Sequence, residues 1–174
     1  MLRELALHIL DIVENSINAG ATRVTIEVRE DTREDTLIIR VADNGRGMDA
    51  AALQRAGDPF FTTRTTRRVG LGLPFLKQAA EMCNGLMSIE SQLGVGTTVT
   101  ATFQHSHLNR MPLGDLAGTL LTLVIGNPQT DFILRHSVND ETFEFDTRPI
   151  KAVLGDVPLS DPAVIAYLKQ ALEI

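Results

Sequence analysis

Alternation with a period of two limits this chain more than any other feature. In TRVTIEV (22–28), Val24, Ile26 and Val28 alternate with polar residues, and in TLIIRVAD (36–43), Leu37, Ile39 and Val41 do the same. Such alternation marks strands with one face buried. The charged run EDTRED between them reads as a turn, so the two predict a hairpin. Residues 86–103 repeat the pattern, with Met87, Ile89 and Ser91, the turn LGVGT, then Val99, Ala101 and Phe103. A sheet with one apolar face has to cover that face with another layer.

The cover is legible as helices. Over residues 2–18, Leu2, Leu5, Ala6, Ile9, Leu10, Ile12, Val13, Ser16 and Ile17 take one side at helical spacing. His8, Asp11, Glu14, Asn15 and Asn18 gather on the other, and Gly20 supplies a C-cap. A short helix is expected over MDAAALQRAG and another from about Gly72 to Asn84, with Pro74 tolerable in its first turn. Between them DPFFTTRTTRRVGLGLP (58–74) has no periodicity and reads as a long loop. After HSHLNR the texture changes. Leu113, Leu116, Ala117, Leu120, Leu121 and Val124 predict a helix, FILRHSV and TFEFD two strands, and RPIKAVL and DPAVIAYLKQAL two more helices. The expected class is α+β, with helices covering a sheet built from hairpins. Residues 1–104 form the main domain and 105–174 a small α+β extension.

Composition narrows the function. A net charge of −6 argues against nucleic-acid binding by general electrostatic attraction. One cysteine, Cys83, excludes an intrachain disulfide framework and reads as core rather than nucleophile. His105 and His107 form an HxH pair without further ligands at zinc spacing and read as linker. No apolar run reaches the roughly 18 residues of a membrane span, so the expected setting is cytoplasmic.

Three glycine-bearing turns, DNGRGM, VGLGLP and LGVGT, stand at the ends of regular elements. Glycine there permits left-handed dihedrals or close approach of backbone to a ligand. VGLGLP also opens a helix, where unpaired N–H groups favour an anion. Upstream, TTRTTRR sets Arg64, Arg67 and Arg68 among four threonines, a composition suited to a polyphosphate. Asp43 closes an apolar strand, and a half-buried carboxylate needs a partner such as the adenine amino group. Asp11 and Asn15, four apart, share a helix face on which a carboxylate and an amide oxygen would hold Mg²⁺ and a water.

Taken in order, ENSINAGA, DNGRGM, DPFFTT, GLGLPFLK and GVGTTVTATF resemble the GHKL nucleotide-binding superfamily of DNA gyrase, histidine kinases, heat-shock chaperone ATPases and MutL. ENSINAGATRVTIEV is similar to the MutL form of the first motif, while DPFFTT and GLGL are more like the histidine-kinase forms. The resemblance spans residues 5–104 and implies a Bergerat-type fold, an α+β two-layer sandwich with helices on one face of a mixed, mostly antiparallel sheet, binding ATP or ADP. It makes Asn15 the single protein ligand to Mg²⁺ and Asp43 the acceptor for the adenine amine, supported by Thr97. Gly45 and Gly47 would let the turn pass beneath base and sugar. Gly70 and Gly72, with Leu71 between them, would free the lid loop and cradle phosphates. Met48 and Phe61 become apolar neighbours of the pocket.

One position departs from the pattern. Hydrolysing members carry Glu four residues before the Asn, where this chain has Asp11, one methylene shorter. A general base has to reach its water, and a shortfall near 1 Å costs on the order of 100-fold. Nucleotide binding is therefore expected with slow or no hydrolysis. A sensor kinase carries a phosphoacceptor histidine ahead of this domain, and gyrase and MutL a large transducer behind it. Neither self-phosphorylation nor DNA-strand work is expected of these residues alone. Two readings remain: a nucleotide-dependent module that engages a partner protein, or a protein kinase acting in trans. The acidic tail reads as a partner or homodimer surface, with a lid-supporting extension as the alternative.

Overall fold

The computed structural model describes residues 3–56 and 72–173. Both expected hairpins form. Strands β1 (Arg23–Asp31) and β2 (Thr36–Asp43) pair antiparallel, with Val24 opposite Asp43 and Asp31 opposite Thr36. Strands β3 (Met87–Gln92) and β4 (Gly96–Gln104) pair likewise, and β4 lies antiparallel to β2 with Thr97 opposite Asp43. This register brings the end of one hairpin to the start of the other's second strand.

Residues beyond 105 build onto the same sheet. Strand β5 (Asp131–Val138) runs parallel to β1, Phe132 beside Val24 and Leu134 beside Ile26, and β6 (Glu141–Asp146) pairs antiparallel with β5. The result is an open, mixed six-stranded sheet in the order β3-β4-β2-β1-β5-β6. Val24, Ile26, Val28, Leu37, Ile39, Val41, Val99, Ala101 and Phe103 are all buried, as the period of two requires.

Helix α1 (Leu5–Asn18) lies over this face and packs against α3 (Gly72–Glu81) and α4 (Leu116–Gly126). It begins at Leu5 rather than at residue 2. The Leu5 and Ala6 N–H groups donate to the carbonyls of Pro112 and Leu113, so backbone after β4 caps the helix in place of a side chain. Gly20, at φ +78, ends it as expected. The helix α3 closes at Glu81, short of the predicted Asn84. Four helix starts are capped by aspartate side chains: Asp49 for α2 (Ala50–Arg55), Asp115 for α4, Asp146 for α5 (Thr147–Leu154) and Asp161 for α6 (Pro162–Ala171). Each such cap stabilises by about 1 kcal/mol.

Two polar residues sit differently from their sequence placement. His8, assigned to the polar side of α1, is buried, because α1 is flanked by α3 and α4 and the covered arc is wider than one apolar stripe. His105 Nε2 meets Glu30 Oε1 at 3.1 Å, and His136 Nε2 on β5 meets Glu30 Oε2 at 2.7 Å. Among the described residues no group of three His, Cys, Asp or Glu side chains could hold a metal ion, and no helix is long and apolar enough to cross a membrane.

Candidate functional site

The last half of α1, the turn after β2 and the start of β4 meet around Asp43. Its Oδ1 accepts from the Gly45 N–H at 2.8 Å and the Thr97 N–H at 3.3 Å. Its Oδ2 accepts from Ser16 Oγ at 2.6 Å. Two backbone donors and one hydroxyl thus fix the plane of the carboxylate. A carboxylate offers about four lone-pair sites, so Asp43 retains room for one more donor.

Hydroxyls extend this arrangement. Thr97 Oγ1 lies 2.7 Å from Ser91 Oγ, and Ser91 Oγ accepts from the Met48 N–H at 2.8 Å. The turn itself is pinned by Asn44, whose side-chain oxygen accepts from the Thr22 and Arg23 N–H groups. Arg46 N–H donates to the Ala19 carbonyl, tying the turn to the end of α1.

Two glycines make the fit. Gly47 has φ +71, and a Cβ there would stand 2.0 Å from the Gln92 carbonyl oxygen. Gly96, at φ +148, would place a Cβ 2.0 Å from the Asp43 carbonyl oxygen. No side chain is compatible with either approach.

The walls enclose a cavity of about 270 Å³. Ile12, Met48, Ala52, Leu73, Leu93 and Val99 give it apolar sides, and Asn15, Ser16, Asp43, Asp49 and Thr97 give it polar atoms. The predicted residues Asn15, Asp43, Gly47, Met48 and Thr97 line it together. Gly45 donates its N–H to Asp43, and a Cβ there would stand 3.0 Å from the Ala19 Cβ. Gly72 stands at the first position of α3, where a Cβ would come within 3.2 Å of Asp11 Cβ and 3.7 Å of Asn15 Nδ2. Asp11 therefore faces the start of α3 and is not among the residues lining this cavity. Phe61, Arg64, Arg67, Arg68, Gly70 and Leu71 lie outside the described residues.

Residues not singled out from the sequence also contribute. Ser16 breaks an otherwise apolar helix side, a weak signal of a buried hydroxyl with a partner. Ser91 carries the same weak signal on β3. Asn44 lies within DNGRGM itself, where an asparagine after a strand marks a turn anchored by its side chain.

Known proteins share part of this sequence and this fold. Residues 2–107 match the family described as histidine kinase-, DNA gyrase B-, and HSP90-like ATPase. The chain belongs to that ATPase family. Within it, the sensor protein kinase FleS of Pseudomonas aeruginosa is 48% identical over 58 residues, 33% of this chain and 14% of that kinase. The tetrathionate sensor histidine kinase TtrS of Salmonella typhimurium is 38% identical over 104 residues, 58% of this chain and 17% of that kinase. The chain thus spans a minor part of the length of these curated relatives. In fold it is similar to the Aquifex aeolicus MutL ATPase domain complexed with ADP, at TM-score 0.55 and 19% identity, covering 87% of this chain and 67% of that one. It is also similar to the N-terminal domain of a DNA repair protein, at TM-score 0.56 and 16% identity, covering 91% of this chain and 59% of that one. An ATPase-family fold with an open mixed sheet accounts for both likenesses.

Proposed function

We propose that this ATPase-family chain binds ATP or ADP with Mg²⁺ in the cavity around Asp43 and presents the bound state to a partner protein, with slow or no hydrolysis. The observation that carries the reading is Asp43 itself, an acceptor held in one orientation by Ser16, Gly45 and Thr97 at the wall of a cavity with apolar sides. A flat base with an exocyclic amine meets both demands, since its faces lie on Ile12, Met48 and Val99 and its amine donates to the remaining lone pair.

Asn15 supports a place for the cation. Mg²⁺ prefers oxygen ligands and usually keeps waters and phosphates around one or two protein groups. An amide oxygen on the cavity wall serves as one such group. Asp11, facing Gly72 at the start of α3, is the residue that would act on an attacking water. Its short side chain and its place away from the base-binding walls support slow turnover.

Titration calorimetry with ADP and GDP tests the reading. Wild type is expected to bind ADP in preference to GDP. Asp43→Asn keeps an oxygen for Gly45 but sets an N–H₂ against the ligand amine, and should lose about 10- to 100-fold in ADP affinity. Asn15→Ala should remove the dependence on Mg²⁺ while leaving ADP itself bound. Absence of heat with wild type, or Asp43→Asn binding as tightly as wild type, would refute it.

The similarity to FleS and TtrS favours a second reading, transfer of the γ-phosphoryl group to a separate protein from the same pocket. Label from γ-phosphate-labelled ATP appearing on one discrete protein of a cell extract supports transfer, and its absence supports the binding module.

A further inference from the structure

Away from the cavity around Asp43, His8 stands out among the described residues as a buried side chain whose nitrogens have no hydrogen-bond partner. His8 on α1 is 2% exposed, and neither of its ring nitrogens has a hydrogen-bond partner among the described residues. An imidazole carries two nitrogens that hydrogen-bond, and a buried polar group left unmet is expensive. Native structures keep such a group when something else meets its need.

What His8 faces is a second cavity, of about 150 Å³, between α1, α3 and residues 109–111. Phe75, Ala79 and Met82 of α3 and Met111 supply apolar walls, and Gln78 and Asn109 add neutral amides. None of the described lining residues carries a fixed charge. Phe75 and Met82 are 39% and 43% exposed, so the cavity opens to solvent between them.

We propose that this cavity is a binding site for a small, uncharged aromatic ring bearing one hydroxyl, a phenol, with His8 as its hydrogen-bond partner. Size sets the ring count, since an apolar cavity of roughly 150 Å³ takes up one benzene. Two methionine sulfurs beside a phenylalanine favour an aromatic guest. None of the described side chains lining the cavity is a cation, so none of them would pair with a carboxylate or a phosphate. The hydroxyl follows from His8, which accepts the phenolic O–H or donates to its oxygen. Burial disfavours the charged imidazole and lowers its pKa, so the ring is neutral and retains an acceptor at neutral pH.

Among the described residues this site shares no lining residue with the cavity around Asp43, and the inference stands whether or not nucleotide binds there. The test is an NMR titration of the full chain with phenol and, separately, with benzene. Phenol is expected to saturate and to bind about tenfold more tightly than benzene, the worth of one net hydrogen bond. In His8→Phe, a change of similar volume that removes the unmet nitrogens, phenol and benzene should bind equally. In Ala79→Leu, which fills the cavity while leaving His8 in place, both should be excluded. Three results would each overturn the proposal: equal affinity of wild type for the two rings, a phenol preference surviving in His8→Phe, or no saturable binding. Equal affinity would assign His8 a water as its partner.

Discussion

Gly47 concentrates the local constraint at the site. Its φ of +71 lies where β-carbons are disfavoured, and the Gln92 carbonyl occupies the space a β-carbon would need. Gly47→Ala should therefore destabilise the fold by about 1–3 kcal/mol, read as a lowered midpoint in urea unfolding with an unchanged slope. A midpoint within error of wild type would mean that the turn relaxes freely. Asn15, Asp43, Gly47, Met48 and Thr97 were legible in the sequence because each belongs to a short motif at an element boundary. Ser16 and Ser91 were not, because a lone hydroxyl in an apolar pattern looks the same whether it is wet or bonded. What distinguishes Ser16 is a carboxylate 27 positions away. Only the folded sheet brings the two together.

At the scale of elements, Glu30 clasps three of them. Its two carboxylate oxygens meet His105, just after β4, and His136 on β5, while Glu30 itself lies on β1. Burial pushes the Glu30 carboxyl upward, but the hydrogen bonds from His136 and His105 outweigh it, so its pKa falls below the ordinary glutamate value. A depressed carboxylate pKa means that the unfolded chain takes up the proton first as the pH falls. The stabilisation is therefore fully present above the unfolded value, about pH 4.3, and fades as the pH drops through the lower folded value. Melting temperature recorded from pH 6 to pH 3 should fall less steeply for Glu30→Gln than for wild type, and parallel curves would dismiss the clasp. Here the sequence was legible in part. Periodicity located β5, β6 and the three helices around them, because those patterns are local. It placed His105 in a linker and left His136 unremarked, because pairing between distant strands leaves no periodic trace. His8 was misplaced for a related reason, since a helical wheel does not reveal how many neighbours flank the helix.

For the whole molecule, the sheet crosses the line near residue 105 at which the chain changes texture. Ending the chain at residue 104 would remove β5 and strip the cover from one edge of β1, together with α4 and the carbonyls of Pro112 and Leu113 that cap α1. Such a truncation should be recovered mainly in the insoluble fraction on expression, and a monomeric, cooperatively melting product would show instead that residues 1–104 suffice. The parallel pairing of β1 with β5 also has a kinetic consequence. Val24 meets Phe132 across more than a hundred intervening residues, so this ladder closes a very long loop before it returns any stabilisation. During synthesis the two hairpins can assemble as they emerge, but the first strand waits with one side unzipped until the fourth element from the end arrives to dock beside it. A chaperone that shields that waiting edge would matter most to this protein in the seconds before its final third leaves the ribosome.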